Sequence, residues 1–135
     1  MSGPGAALAV AAERLVGVPF RLHGRDPERG LDCVGLVAAA LAATGRVVRA
    51  PAGYRLRPGC IDGLLEAAER SGLIDAEGPA APGDVLLVRA GPAQPHLVVA
   101  ASWGDFVHAH AGLGRVVLTP PPLGWPVERH WRLAQ

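Results

Sequence analysis

The chain has few cysteines. Only Cys33 and Cys60 occur among 135 residues, too few for a disulfide framework, and no Cys-x-x-Cys spacing suggests a zinc knuckle or a thioredoxin-like site. Aromatic residues make up 4% of the chain, so its core must be filled by Ala, Val and Leu rather than by rings. Charge is nearly absent as a signal: 13 Lys and Arg stand against 12 Asp and Glu, a net +1. That balance offers no electrostatic reason to expect nucleic acid or an anionic membrane as a partner. Nor is there an apolar run of about 18 residues that would span a bilayer. The stretch Met1 to Ala12 lacks a basic n-region and is interrupted by Glu13-Arg14, so it reads as an amphipathic helix and not as a signal peptide. On this reading the protein is synthesised in the cytoplasm.

What is present is apolar material, half of the residues, in a length typical of one domain. Residues 1–135 are therefore read as a single domain. The first half is helical and the second rich in strands, which predicts an α+β fold. Gly5 to Val16 reads as a helix with Leu8, Ala11, Ala12 and Leu15 on one face. Gly17 to Asp32 reads as a loop. Cys33 to Thr44 forms a nearly all-apolar helix that should be central and buried, and Ile61 to Ser71 a third helix. Short strands are predicted at Val85 to Arg89, Leu97 to Ser102, Phe106 to His110 and Arg115 to Thr119, and a last one at Val127 to Leu133. The expected architecture is a few helices on a small antiparallel sheet.

Cys33 is placed for reactivity. It opens a helix behind Asp32, a suitable N-cap, where unpaired N–H groups and the helix dipole favour a thiolate. Gly35 removes a side chain one turn in, where the helix must approach another element closely. Taken alone, a cysteine in an apolar helix is more often structural than catalytic. The second half supplies a base. His96 heads an apolar strand and should sit near the sheet's rim. His108 lies on the next strand, where a hairpin through Ser102 to Asp105 would bring it beside His96. There it would fix the tautomer of His96 as the orienting member of a triad. His110 projects to the same face as His108, a substrate-facing or structural position.

Gly30-Leu31-Asp32-Cys33-Val34-Gly35-Leu36-Val37, then Pro82-Gly83-Asp84-Val85-Leu86, then His96, then Phe106-Val107-His108-Ala109, together resemble the NlpC/P60 cysteine peptidases over about residues 8 to 120. The resemblance implies a papain-like α+β fold that hydrolyses amide bonds in peptidoglycan stem peptides, typically between D-glutamate and a diamino acid. It implies Cys33 as nucleophile, His96 as general base and then acid, and His108 as the orienting residue, with no metal or organic cofactor. Many members carry a tyrosine in the loop before the cysteine. Here that loop reads Pro19-Phe20-Arg21-Leu22-His23-Gly24, so oxyanion support would fall to backbone N–H groups at Asp32, Cys33 and Val34, or to His23. Cysteine before histidine argues against the permuted acyltransferase-like branch, and histidine as third residue argues against the related amidases. A short chain without a signal peptide resembles tail-associated members, which suggests phage-tail or gene-transfer-particle proteins as partners and action in the periplasm.

Two rivals stand beside this reading. His96, His108 and His110 offer three imidazoles for zinc, although that would leave Cys33 unexplained. A non-catalytic tail or cell-wall-binding protein on the same fold is the other. If the peptidase reading holds, a thiolate–imidazolium pair is expected, with activity lost on the acid side. Cys60 is read as a core or loop cysteine.

Overall fold

The computed structural model describes residues 3–46, 48, 62–90 and 94–134. Helix α1 (Pro4–Glu13) begins with a proline, whose missing N–H would have no helical partner at that position anyway. Two very short antiparallel strands follow, β1 (Arg25–Asp26) and β2 (Gly30–Leu31), and then helix α2 (Cys33–Ala43). After α3 (Asp62–Arg70) come β3 (Leu73–Asp75), β4 (Val85–Arg89), β5 (Pro95–Ala100), β6 (Phe106–His110), β7 (Arg115–Thr119) and β8 (Val127–Leu133). The last six form one antiparallel sheet in the order β3-β8-β4-β5-β6-β7. The fold is α+β, with helices on an antiparallel sheet, as the sequence indicates.

The differences are local. The segment read as the loop Gly17 to Asp32 contains β1 and β2, and it lies along the outer edge of β7. Gly17 N–H donates to Val116 O at 2.9 Å, Val116 N–H to Val18 O at 2.8 Å and Phe20 N–H to Gly114 O at 2.8 Å. These bonds cover backbone groups that would otherwise be an open sheet edge. β3 was not expected either, since strands of two or three residues are too short to show a period. β5 starts at Pro95 rather than Leu97, which places His96 inside the strand. Of the apolar face predicted for α3, Leu65 and Ala68 do pack on the core, whereas Ile61, the side chain of Leu64, and Cys60 lie outside the described residues.

Alternation along β4, β5 and β6 gives the sheet two buried faces. Val85, Leu87, Leu97, Val99, Val107 and Ala109 pack with Val34, Leu36, Val37, Ala40 and Leu41 of α2. On the other face Leu86, Val88 and Val98 pack with Phe106, Leu123 and Trp125. Burial on both sides explains why β4 and β5 read as continuous apolar runs. α2 is buried along most of its length, and its small residues let it lie close to its neighbours.

Closest of all is the approach at Gly35. A Cβ built there would run into the carbonyl oxygen of Gly24, and backbone cannot swing aside as a side-chain end can. Gly35→Ala is therefore expected to destabilise the fold by about 1–3 kcal/mol, the usual range for overpacking, read from the denaturation midpoint. An unchanged midpoint would show that the loop yields without cost.

The Pro82-Gly83-Asp84 turn anchors the other end of the sheet. Gly83, at φ 85°, leaves no room for a side chain beside the carbonyl of Gly5. Asp84 is fully buried. Its carboxylate accepts from Arg132 Nε and Nη2, each at 2.9 Å, from Ala81 N–H at 2.9 Å, and contacts His130 Nε2 at 2.6 Å. The turn is thereby bound to β8.

Candidate active site

Cys33 is the first residue of α2, and Asp32 caps the helix. The Asp32 carboxylate accepts from Gly35 N–H at 2.8 Å and from His23 N–H at 2.9 Å, so one buried side chain fixes both the helix start and the loop before it. The second bond holds His23 at a positive φ of 61°, a conformation uncommon outside glycine. Leu36 N–H bonds to Asp32 O at 2.8 Å as the first helical hydrogen bond. The N–H groups of Cys33 and Val34 precede that ladder, and both reach the Cys33 sulfur, as does Leu97 N–H.

His96 comes from β5 and His108 from β6. His96 Nε2 lies 3.0 Å from His108 Nδ1, and His108 Nε2 lies 2.8 Å from Thr119 Oγ1. The two imidazole rings meet edge to face with centroids 5.1 Å apart. Trp125 stands edge to face against both, 5.7 Å from His96 and 5.5 Å from His108. By strand alternation these histidines share the face of Val98 and Phe106, opposite α2. Cys33 approaches from the helix side. The site therefore straddles the sheet at its rim, and a cleft of about 810 Å³ is lined there by Phe20, His23, Cys33, His96, His110 and Trp125 among others.

His110 also reaches this cleft, on the same side as His108, with ring centroids 5.7 Å apart. Its Nδ1 accepts from Leu113 N–H at 3.0 Å, which leaves Nε2 as the protonated nitrogen of the neutral ring. His108 has both ring nitrogens engaged, by His96 and Thr119. Among the described residues no three His, Cys, Asp or Glu side chains converge as a metal-ligand set.

The electrostatics differ from the expected ion pair. Burial pushes the Cys33 thiol up to about 12; the Leu97 N–H opposes this, the Asp32 carboxylate adds to it, and the N–H groups of Val34 and Cys33 oppose it further. Burial likewise lowers His96 to about 4, helped by the neighbouring His108 and His110, and lowers His108 to about 4, helped by His110. Both shifts favour a neutral thiol and a neutral imidazole at rest. The helix terminus does not lower the thiol because burial of the sulfur, together with the capping Asp32 carboxylate beside it, opposes the N–H groups.

The predicted residues Asp32, Cys33, His96 and His108 thus gather at one rim, with His23 and His110 on the cleft wall and Val34 contributing its backbone. Thr119 and Trp125 are additional. Against families of known proteins, residues 17–125 match the model of the NlpC/P60 family. The chain belongs to the NlpC/P60 family. Solved structures with the NlpC/P60 fold agree. The NlpC/p60 domain of the peptidoglycan hydrolase SagA superposes with a TM-score of 0.67 at 23% identity, over 97% of this chain and 100% of that one. NlpC2 from Trichomonas vaginalis gives 0.70 at 19% identity, over 98% of this chain and 49% of that one. An NlpC/P60 family protein from Bacillus cereus gives 0.68 at 15% identity, over all of this chain and 42% of that one. Among curated protein sequences none matches this NlpC/P60 chain.

Proposed function

We propose that this NlpC/P60 protein is a cysteine peptidase that hydrolyses amide bonds in peptidoglycan stem peptides, between D-glutamate and a diamino acid. The observation that carries the reading is the hydrogen-bonded His96–His108 pair lining the same cleft as Cys33, at the start of a helix. His96 Nε2 faces His108, so Nδ1 is the nitrogen left for the thiol. With both partners neutral at rest, His96 takes the proton as sulfur attacks the carbonyl, in one general-base step. The N–H groups of Cys33 and Val34 hold the oxyanion. His96 then protonates the leaving amine, and water hydrolyses the thioester with His96 again as base. Asp32 acts by fixing the helix start. His110 presents Nε2–H to a substrate carbonyl or carboxylate, and His23 lies in the loop in which many relatives carry a tyrosine. The choice of bond, and carriage by a phage-tail or gene-transfer particle to the periplasm, rest on the sequence resemblance.

Digestion of purified muropeptides with mass analysis of the products tests the reading. Wild type is expected to release fragments cut at the γ-D-glutamyl bond, unaffected by EDTA. Activity lost on chelation and restored by zinc would support a metal hydrolase instead. An inactive wild type would leave the reading of a non-catalytic tail or cell-wall-binding protein.

A further inference from the structure

Thr119 ends β7, two residues past the position paired with His108: the register sets Val117 opposite His108 and Thr119 opposite Phe106. Its hydroxyl closes a row of three groups, His96, His108 and Thr119, joined by contacts of 3.0 and 2.8 Å. A neutral imidazole has one N–H and one acceptor nitrogen, so the row can hold its protons in only two ways. In the first, His96 carries its hydrogen on Nε2 and donates to His108 Nδ1. His108 then carries its own on Nε2 and donates to Thr119 Oγ1. In the second every bond is reversed, and the hydrogen on His96 sits on Nδ1, where it blocks proton uptake from Cys33. Only the first arrangement gives a base. It is also the only one compatible with a doubly protonated His96, whose Nε2–H must donate to His108.

We propose that Thr119 is a positioning residue that sets the protonation register of the histidine pair, as the acceptor for His108 Nε2–H. The proposal rests on the peptidase reading for its catalytic consequence, but its core statement concerns tautomers and stands apart from activity. His108 is buried, at 1% exposure, so it depends on the protein for a partner at Nε2. Without the threonine oxygen a His108 Nε2–H would be left unpaired, which costs more than moving the hydrogen to Nδ1, where His96 can accept it. Loss of the hydroxyl therefore shifts the row toward the blocked arrangement without touching the nucleophile. A serine would keep the oxygen.

The test is long-range proton–nitrogen NMR correlation on the histidine rings of wild type, Thr119→Val, Thr119→Ala and Thr119→Ser, paired with muropeptide kinetics. Wild type and Thr119→Ser are expected to show both His96 and His108 protonated on Nε2. In Thr119→Val and Thr119→Ala the hydrogen of His108 is expected to move toward Nδ1, and kcat to fall about tenfold or more with KM little changed. Wild type with His108 protonated on Nδ1 overturns the proposal, as does a valine or alanine variant with the wild-type nitrogen pattern. If wild type cleaves no muropeptide, the peptidase reading falls, while the nitrogen spectra still decide the role of Thr119.

Discussion

Replacing either Cys33 or His96 with alanine is expected to slow stem-peptide cleavage by about four orders of magnitude or more, and replacing both by no more than the worse single change. Residues that act as one unit behave this way, since losing either partner removes the shared step. The pH dependence is more telling. With the thiol pushed up to about 12 and His96 lowered to about 4, the neutral pair is favoured over a thiolate–imidazolium pair at rest. Iodoacetamide should therefore label Cys33 slowly at pH 7, and roughly tenfold faster for each unit of pH on the alkaline side, because the thiolate is the species that reacts. The acid limb of kcat/KM should fall near pH 4, where free His96 becomes protonated and cannot act as base. Rapid labelling at pH 6, or an acid limb near 6.5, would replace the concerted step with a preformed ion pair. Mass analysis of the Cys33 peptide separates its labelling from that of Cys60.

Asp84→Ala is expected to cost about 2–3 kcal/mol of folding stability, at or just below the bottom of the roughly 3–5 kcal/mol range for breaking a buried ion pair. The reduction reflects Arg132, whose side chain is 44% exposed and can regain water. The loss strands Ala81 N–H as well as Arg132 and His130, and so loosens the turn from β8. Burial by itself would raise the Asp84 carboxyl. The Arg132 guanidinium, Ala81 N–H and His130 outweigh it and hold the group below its ordinary 3.8. A carboxyl lowered on folding contributes its full stability above the unfolded value and loses it as pH falls through the folded one. The difference between wild type and Asp84→Ala should therefore shrink below about pH 4. His96 and His108 act earlier: each falls from 6.5 to about 4 on folding, so the unfolded chain binds more protons between those values. Wild-type stability should decline as pH drops from 6.5 toward 4, before Asp84 begins to contribute to the loss. Thermal melts of both proteins from pH 7 to 3 check both parts, and a constant gap down to pH 3 would remove Asp84 from the acid response.

The helix at Cys33 and the strands carrying His96 and His108 were legible because their signals are local: a capping aspartate, an apolar run, and alternation between turns. The pairing of His96 with His108 followed from hairpin logic. Thr119 was within reach of the same logic, since β6 and β7 have the predicted bounds and their register alone puts Thr119 diagonal to His108. Trp125 was not, because it reaches the two rings from a segment without strand or helix periodicity. The direction of the thiol's shift was not legible in the sequence, for a physical reason. The helix terminus was weighed as an isolated dipole, whereas the thiol is also buried away from water and meets the Asp32 carboxylate. Both depend on tertiary packing, which a one-dimensional pattern does not contain.

The contact between Gly35 and the Gly24 carbonyl has a consequence for chemistry as well as for packing. It limits how closely α2 can lie against the loop that precedes it. Cys33 is the first residue of that helix, and its proposed proton acceptor, His96, comes from β5, so their separation depends on that limit. A shift of about 1 Å is enough to cost a reaction two orders of magnitude, less than the width of a methyl group. The hydrogen atom that glycine carries in place of a side chain is thus one of the working dimensions of the proposed reaction centre, although it meets no substrate.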